Sequence, residues 1–327
     1  MQYLASTKLT LIGFAALGLA LVGRQFSVAG ASWIVIMLLA ALAINLAAAL
    51  IATPRLRKEP GLLIFHAALL ALMLLAAAGR LAHFDGHVEV TEGNLFSADD
   101  VVVDSKGPLH PDRLQYIAFK QGPFRVDYAP GVKRAATRSE VTVPAESAVE
   151  LHNVGDDVPL LARGYRFYTT HNKGVAVVLT WLPANGEPVT GAIHMPSYPL
   201  FDWKQANKWR APGGPDIRFW LHLDTPIRDD SAWTLESGSA SGVLVVNADG
   251  KRLELKPGER AAFTGGELRF EELRGWMGYR IFFDPTLPWL LVAAILAVCG
   301  LALQFFGKAI RWQFDGASDS CPVEAAP

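Results

Sequence analysis

Two stretches of this chain are almost empty of charge, and they constrain most of what it can fold into. Residues 1–53 carry only Lys8 and Arg24 as charged side chains, and residues 286–307 carry none. A helical run of about 20 apolar residues matches the hydrocarbon thickness of a bilayer. In lipid every backbone N–H and C=O must be paired within the segment, so such runs are helices. Between the two zones the composition is that of a water-soluble domain. The uneven distribution of charge, more than the net charge of -1, argues for membrane helices flanking a soluble region. The near-neutral balance, with no basic run longer than Arg55–Lys58, offers no nucleic-acid surface.

Four spans are predicted, at about 9–23, 32–52, 61–80 and 286–307. The first, Leu9–Val22, reads either as a membrane helix or as a signal peptide with Ala29-Gly30-Ala31 as its cleavage site. Arg24 and Gln25 interrupt the usual approach to such a site. In the second span, Ser32–Ala52, Asn45 is the strongly polar member and suits a helix–helix hydrogen bond. Pro54 stops that helix. The loop after it holds Arg55, Arg57 and Lys58, which the positive-inside rule places in the cytoplasm. Lys308 and Arg311 put the far end of the last span on the same side. By parity, residues 83–285 lie outside, in the periplasm of a bacterial inner membrane. The polar tail, 308–327, is expected to be cytoplasmic and disordered after Phe314.

The outer region reads as β. Arg113–Lys120, Phe124–Tyr128, Glu140–Val143, Val158–Thr169, Val175–Leu182, Ile217–Leu223 and further short runs to Tyr279–Phe283 are rich in Val, Tyr, Phe and Thr. Gly, Pro and Asn turns separate them, the pattern of a large antiparallel β-sandwich-like domain. Asn247-Ala248-Asp249-Gly250 predicts a hairpin. Pro196–Pro215 predicts a long loop presenting Trp203 and Trp209. Trp276, Tyr279 and Trp289 suit an interfacial aromatic belt. The two cysteines, Cys299 and Cys321, lie outside this region, so it has no disulfide and no CxxC redox pair.

Within the third span His66 is the one ionisable residue, about 8 Å from its start at 1.5 Å per residue. Such a residue is costly in lipid and marks a functional site by default. Neutral imidazole is also an axial ligand for haem iron. A histidine bonded to a neighbouring helix, for instance to Asn45, is the other reading. His83 and His87 read as interfacial anchors or a second ligand pair, and the remaining histidines as surface or turn residues. No GxSxG, P-loop, GxGxxG or HExxH motif marks an enzyme, and no catalytic residue is assigned.

The order of three spans, a β-rich outer domain and a final span resembles the ResB/CcsB family of cytochrome c biogenesis proteins, the System II pathway. So do the stretches PGLLIFHAALLALMLLAAAGRLAHFDGHVEVTEGNLF (Pro60–Phe96) and GYRIFFDPTLPWLLVAAILAVCGL (Gly278–Leu301). The resemblance implies a non-catalytic or co-catalytic subunit of a haem lyase complex. Such a subunit acts with a CcsA/ResC-like membrane protein, surrounded by membrane lipid, to move haem outward and attach it to apocytochrome c. It implies that His66 binds haem iron axially, and Arg55, Arg57 and Lys58 are candidates for the propionates. The tryptophan-rich WWD motif of the partner is absent here. The alternative is a membrane-anchored scaffold without cofactor, docking partners through its β domain.

Overall fold

The structure, a computed structural model, describes residues 3–26, 31–144, 149–224 and 227–318. It divides into a helical unit and a β unit. The helical unit contains α1 (Thr7–Gln25), α2 (Ala31–Ala52), the short α3 (Pro54–Lys58), α4 (Pro60–Ala82) and α5 (Leu287–Ser318). Trp33–Ala52, Pro60–Ala82 and Leu287–Phe306 are long and apolar enough to cross a membrane, whereas the apolar run Thr7–Gly23 is shorter. Backbone helix continues to Ser318 rather than ending near Gly307. Cys321 and the rest of the tail from 319, and Ala29 and Gly30 of the cleavage-site reading, lie outside the described residues.

The helices pack in the order α1 on α2, α2 on α4 and α4 on α5. Asn45 has the helix–helix role expected of it: Thr10 Oγ1 donates to its Oδ1 at 2.7 Å, and its amide donates to the carbonyls of Leu4 and Ser6. Small residues bring α4 and α5 together as an antiparallel pair. A Cβ on Gly300 would stand 2.6 Å from the Phe65 backbone nitrogen, and one on Gly61 would stand 2.6 Å from that of Gln304. Buried Ala68, Ala293 and Ala297 extend this seam, the kind of close backbone approach that holds helices together without a hydrophobic driving force. Asp284 caps the start of α5 by accepting from Thr286 N at 2.9 Å.

The C-terminal end of α4 is closed with unusual completeness. A helix leaves its last carbonyls unpaired. Here Arg80 O accepts from His83 Nδ1 at 2.8 Å, Leu81 O from Leu109 N at 2.8 Å, Ala82 O from His110 Nδ1 at 3.1 Å and His83 O from Gly107 N at 2.8 Å. The segment Gly107–His110 folds against this end so closely that a Cβ on Gly107 would sit 2.2 Å from Leu81 O. His83 and His110 are therefore buried capping residues. His87 is exposed on the first strand and pairs with Asp104 at 2.9 Å.

The β unit has fifteen strands among the described residues. They are β1 (Phe84–Thr91), β2 (Val102–Lys106), β3 (Lys120–Ala129), β4 (Lys133–Pro144), β5 (Val149–Gly155), β6 (Leu160–Ala162), β7 (Tyr165–Pro183) and β8 (Val189–His194). Then follow β9 (Ala206–Arg210), β10 (Asp216–Leu223), β11 (Trp233–Glu236), β12 (Gly242–Ala248), β13 (Lys251–Leu255), β14 (Arg260–Phe263) and β15 (Gly266–Phe283). All pairings are antiparallel. β2-β1-β15-β7-β6 form the spine of one sheet, joined by β8 and β14, while β13-β12-β10-β9 and β11-β3-β4-β5 form two further sheets.

The expected single sandwich is two sandwiches that share a sheet. One end of the long β7/β15 pair, around Tyr165, Phe167, Tyr279 and Ile281, packs with Phe124, Val126 and Val141 of the β3–β4 sheet. The other end, around Val177, Trp181, Leu268 and Phe270, packs with Phe219, Leu221, Leu244 and Val246 of the β10–β12 sheet. Register shifts at Phe270/Glu272 and Met277/Tyr279 are the irregularities by which one strand re-aims its side chains. Tyr279 is consequently 1% exposed in the first of these cores, and Trp276 is 2% exposed with its indole donating to Met195 O at 3.2 Å; only Trp289 of the proposed aromatic belt is exposed. The Asp249-Gly250 turn of the β12/β13 hairpin has φ of 54° and 72°, the left-handed pair of a type I′ turn. Arg113–Lys120 is not a strand: a single 3-10 turn, Leu114–Tyr116, occupies it. Pro196–Pro215 contains β9, with Trp209 against the second core and Trp203 exposed.

Candidate functional site

His66 lies one turn beyond Gly61 on α4, where the glycine seam with α5 opens into a cavity of about 450 Å³. Its walls are Leu62, Phe65 and His66 from α4 and Leu301, Gln304 and Phe305 from α5, with Arg55 and Leu56 of α3 at one side. The volume falls within the range of small-molecule sites, about 300–1,000 Å³. Phe65 stands edge-on to the imidazole, ring centres 5.2 Å apart.

The imidazole is oriented by its own helix. His66 Nδ1 lies 2.7 Å from the Leu62 carbonyl oxygen. A carbonyl only accepts, so Nδ1 carries a proton, and in the neutral imidazole Nε2 keeps the lone pair. A backbone carbonyl holding one ring nitrogen in this way fixes the tautomer that presents the other nitrogen to a metal. The Asn45 partnership weighed from the sequence does not form, since Asn45 is engaged with α1. Among the described residues no group of three or more His, Cys, Asp or Glu side chains could hold a metal ion, so His66 is a single donor.

The polar rim is made by residues that lie apart in the chain. Arg55 pairs with Glu59 at 3.6 Å, and Gln304 donates its amide to the same carboxylate. Arg57 and Lys58 share the short helix with Arg55 but are exposed and do not line the cavity. Of the three cations considered, the fold therefore brings only Arg55 to His66. Glu59 and Gln304 went unnoticed in the sequence. Their signal was modest: Gln304 is the lone amide of the charge-free run 286–307, and Glu59 the lone acid of the basic loop.

For a planar, largely apolar group with an anionic edge, the donor set fits: apolar walls, one correctly tautomerised imidazole and one cation at the rim. Its one nitrogen donor is His66.

The sequence model of the ResB-like family matches residues 45–219, more than half of the chain. This chain belongs to the ResB-like family. The matched span includes α3, α4 with His66, and the β unit as far as β10; α5, the opposite wall of the cavity, lies beyond it. Among the relatives of this ResB-like chain is a cytochrome c biogenesis protein CcsB from Microcystis aeruginosa, 24% identical over 256 residues, 77% of this chain and 54% of that protein. Another, also a cytochrome c biogenesis protein CcsB, from Synechococcus elongatus, is 23% identical over 259 residues, 78% of this chain and 53% of its own length. The chain thus spans about half the length of the curated relatives it matches. A solved cytochrome c haem lyase CcmF aligns with 90% of this chain and 34% of its own at 12% identity, with a TM-score of 0.29, too low to carry an argument about fold.

Proposed function

We propose that this ResB-like protein is a haem-handling subunit of a cytochrome c biogenesis complex, and that His66 Nε2 is one axial ligand to haem iron in the α4/α5 cavity. The observation that carries the reading is the Nδ1–H bond to Leu62 O beside the apolar walls of a pocket with one cation at its rim. The ligand-ready tautomer is held there before any iron arrives. Haem is the cargo and iron chemistry is its own. This chain's residues bury the ring between Phe65, Leu301 and Phe305, orient the imidazole and set Arg55 beside the propionates.

In this reading α2, α4 and α5 cross the bacterial inner membrane, with α1 packed on α2 as a further apolar helix. The Arg55–Lys58 loop faces the cytoplasm and the β unit faces the periplasm. The second axial ligand comes from a CcsA/ResC-type partner, and the acceptor is an apocytochrome c. The curated relatives named as cytochrome c biogenesis proteins support this assignment.

The test is an absorption spectrum of the purified complex, wild type beside His66→Ala, each co-expressed with the partner. A Soret band lost or shifted in the variant is the expected result. A wild-type complex that assembles without any Soret band removes the ligand role and leaves a scaffold.

A further inference from the structure

The outward face of the β9–β10–β12–β13 sheet carries side chains that folding does not require there. Along β10 the alternation buries Ile217, Phe219 and Leu221 and turns Arg218, Trp220 and His222 outward. A solvent-facing strand position ordinarily takes a polar residue, yet Trp220 is 52% exposed. It lines a concave cavity of about 890 Å³ together with Val243, Val245 and Lys208.

The strand register sorts this face into rows. Lys208, Arg218, Asn247 and Arg252 are consecutive partners across the four strands. The next row is Ala206, Trp220, Val245 and Glu254, and the third places His222 beside Val243. One row therefore holds three cations and an amide with no carboxylate. Among the described residues, the side chains of Lys208, Arg218 and Arg252 have neither an ion pair nor a hydrogen bond. Directly beside them the next row is apolar at Ala206, Trp220 and Val245 and ends in Glu254 on the edge strand β13.

We propose that this sheet face is a binding site for a flat apolar molecule carrying carboxylates along one edge, the chemistry of a porphyrin. The ring lies on Trp220 and Val245, and the carboxylates meet Arg218 with Lys208 or Arg252. Three gaps of about 4.8 Å between strands make the cation row about 14 Å long, the span of a single small molecule. The row runs across the strands, and the cavity lies on the sheet's face and not along an open edge, which disfavours an acidic polypeptide added as a strand. Arg guanidinium is well suited to bidentate carboxylate recognition, and an exposed indole face suits stacking. This site is separate from the His66 cavity and does not depend on the function proposed for it.

The experiment titrates the full-length chain in detergent with metal-free protoporphyrin IX, which no histidine can ligate through iron. The variants are Trp220→Ala, Arg218→Gln/Arg252→Gln and, as a control outside both cavities, Leu151→Ala, an exposed side chain of β5. All substituted side chains on the sheet face are exposed, and circular dichroism checks that the fold survives. One saturable phase of binding should weaken about tenfold or more in both sheet-face variants and stay unchanged in Leu151→Ala. The dimethyl ester of protoporphyrin should bind like the Arg variant. Equal affinity for wild type and sheet-face variants, full binding of the ester, or binding of an acidic peptide in preference to the porphyrin each overturns the proposal.

Discussion

Replacing Tyr279 by Phe removes one oxygen from a closed ring of hydrogen bonds and should cost the β unit more than any surface change. Tyr279 OH donates to Gln121 Oε1 at 2.6 Å, Gln121 Nε2 donates to Ser139 Oγ at 2.8 Å, and Ser139 and Tyr279 oxygens are 2.7 Å apart. The Tyr279 proton is committed to Gln121, so Ser139 donates to Tyr279 and the ring is consistent in direction. Burial pushes the phenol's pKa well above its ordinary value, and the donor stays protonated. Ser139 is 0% and Gln121 1% exposed, so no bulk water reaches either to replace the lost partner. A buried polar group left without its partner costs about 1–3 kcal/mol. For a unit of this size each kcal/mol is worth about 2–4 °C. Tyr279→Phe should therefore lower the melting temperature of the full chain by about 2–12 °C, followed by circular dichroism at the β signal. The stricter test is a cycle. Gln121→Leu, Ser139→Ala and Tyr279→Phe together should cost much less than the sum of the three single losses, because the triple variant leaves no polar atom of the ring itself without a partner. Additive losses, or a melting temperature for Tyr279→Phe within 1 °C of wild type, would refute the argument that the ring acts as one unit.

Lys173 is 2% exposed, and burial, with the Arg134 guanidinium nearby, pulls its ammonium down to about 8. The unfolded chain then binds more protons than the folded one between about pH 8 and 10.5, so stability from this group rises with pH through that window. A shift of this size corresponds to about 3 kcal/mol; Lys173→Met should flatten the pH dependence of melting relative to wild type, and an unchanged slope would contradict it. Gly300→Val would drive a side chain into the Phe65 backbone nitrogen and should destabilise the helical unit by about 1–3 kcal/mol. It should also abolish the Soret band of the complex with His66 still in place. Gly18→Ala, with nothing within 4 Å of the added Cβ, should do neither, and equal effects at the two glycines would remove the seam from the account.

The apolar helices and most of the strands were legible in the sequence. Charge-free runs admit only helix, which located α2, α4 and the start of α5. Val/Tyr/Phe alternation between Gly and Asn turns located most of the sheet, including the Asp249-Gly250 hairpin. His66 stood out because an ionisable side chain in an apolar run needs a reason.

What the tertiary structure decided is which of these residues meet. Gly61 and Gly300 are 239 positions apart, and no local pattern reveals that each makes room for the other's backbone. Without that seam the cavity, with Gln304 and Phe305 as its far wall, is invisible. Trp276 and Tyr279 looked like interfacial aromatics because composition cannot tell a belt from a core. Only the pairing of β15 with β7, and the bulges within it, turns them inward. His83 and His110 likewise became helix caps when Gly107–His110 folded back on α4. Local propensity acts over a few residues, whereas burial and hydrogen-bond satisfaction are settled between segments distant in the chain.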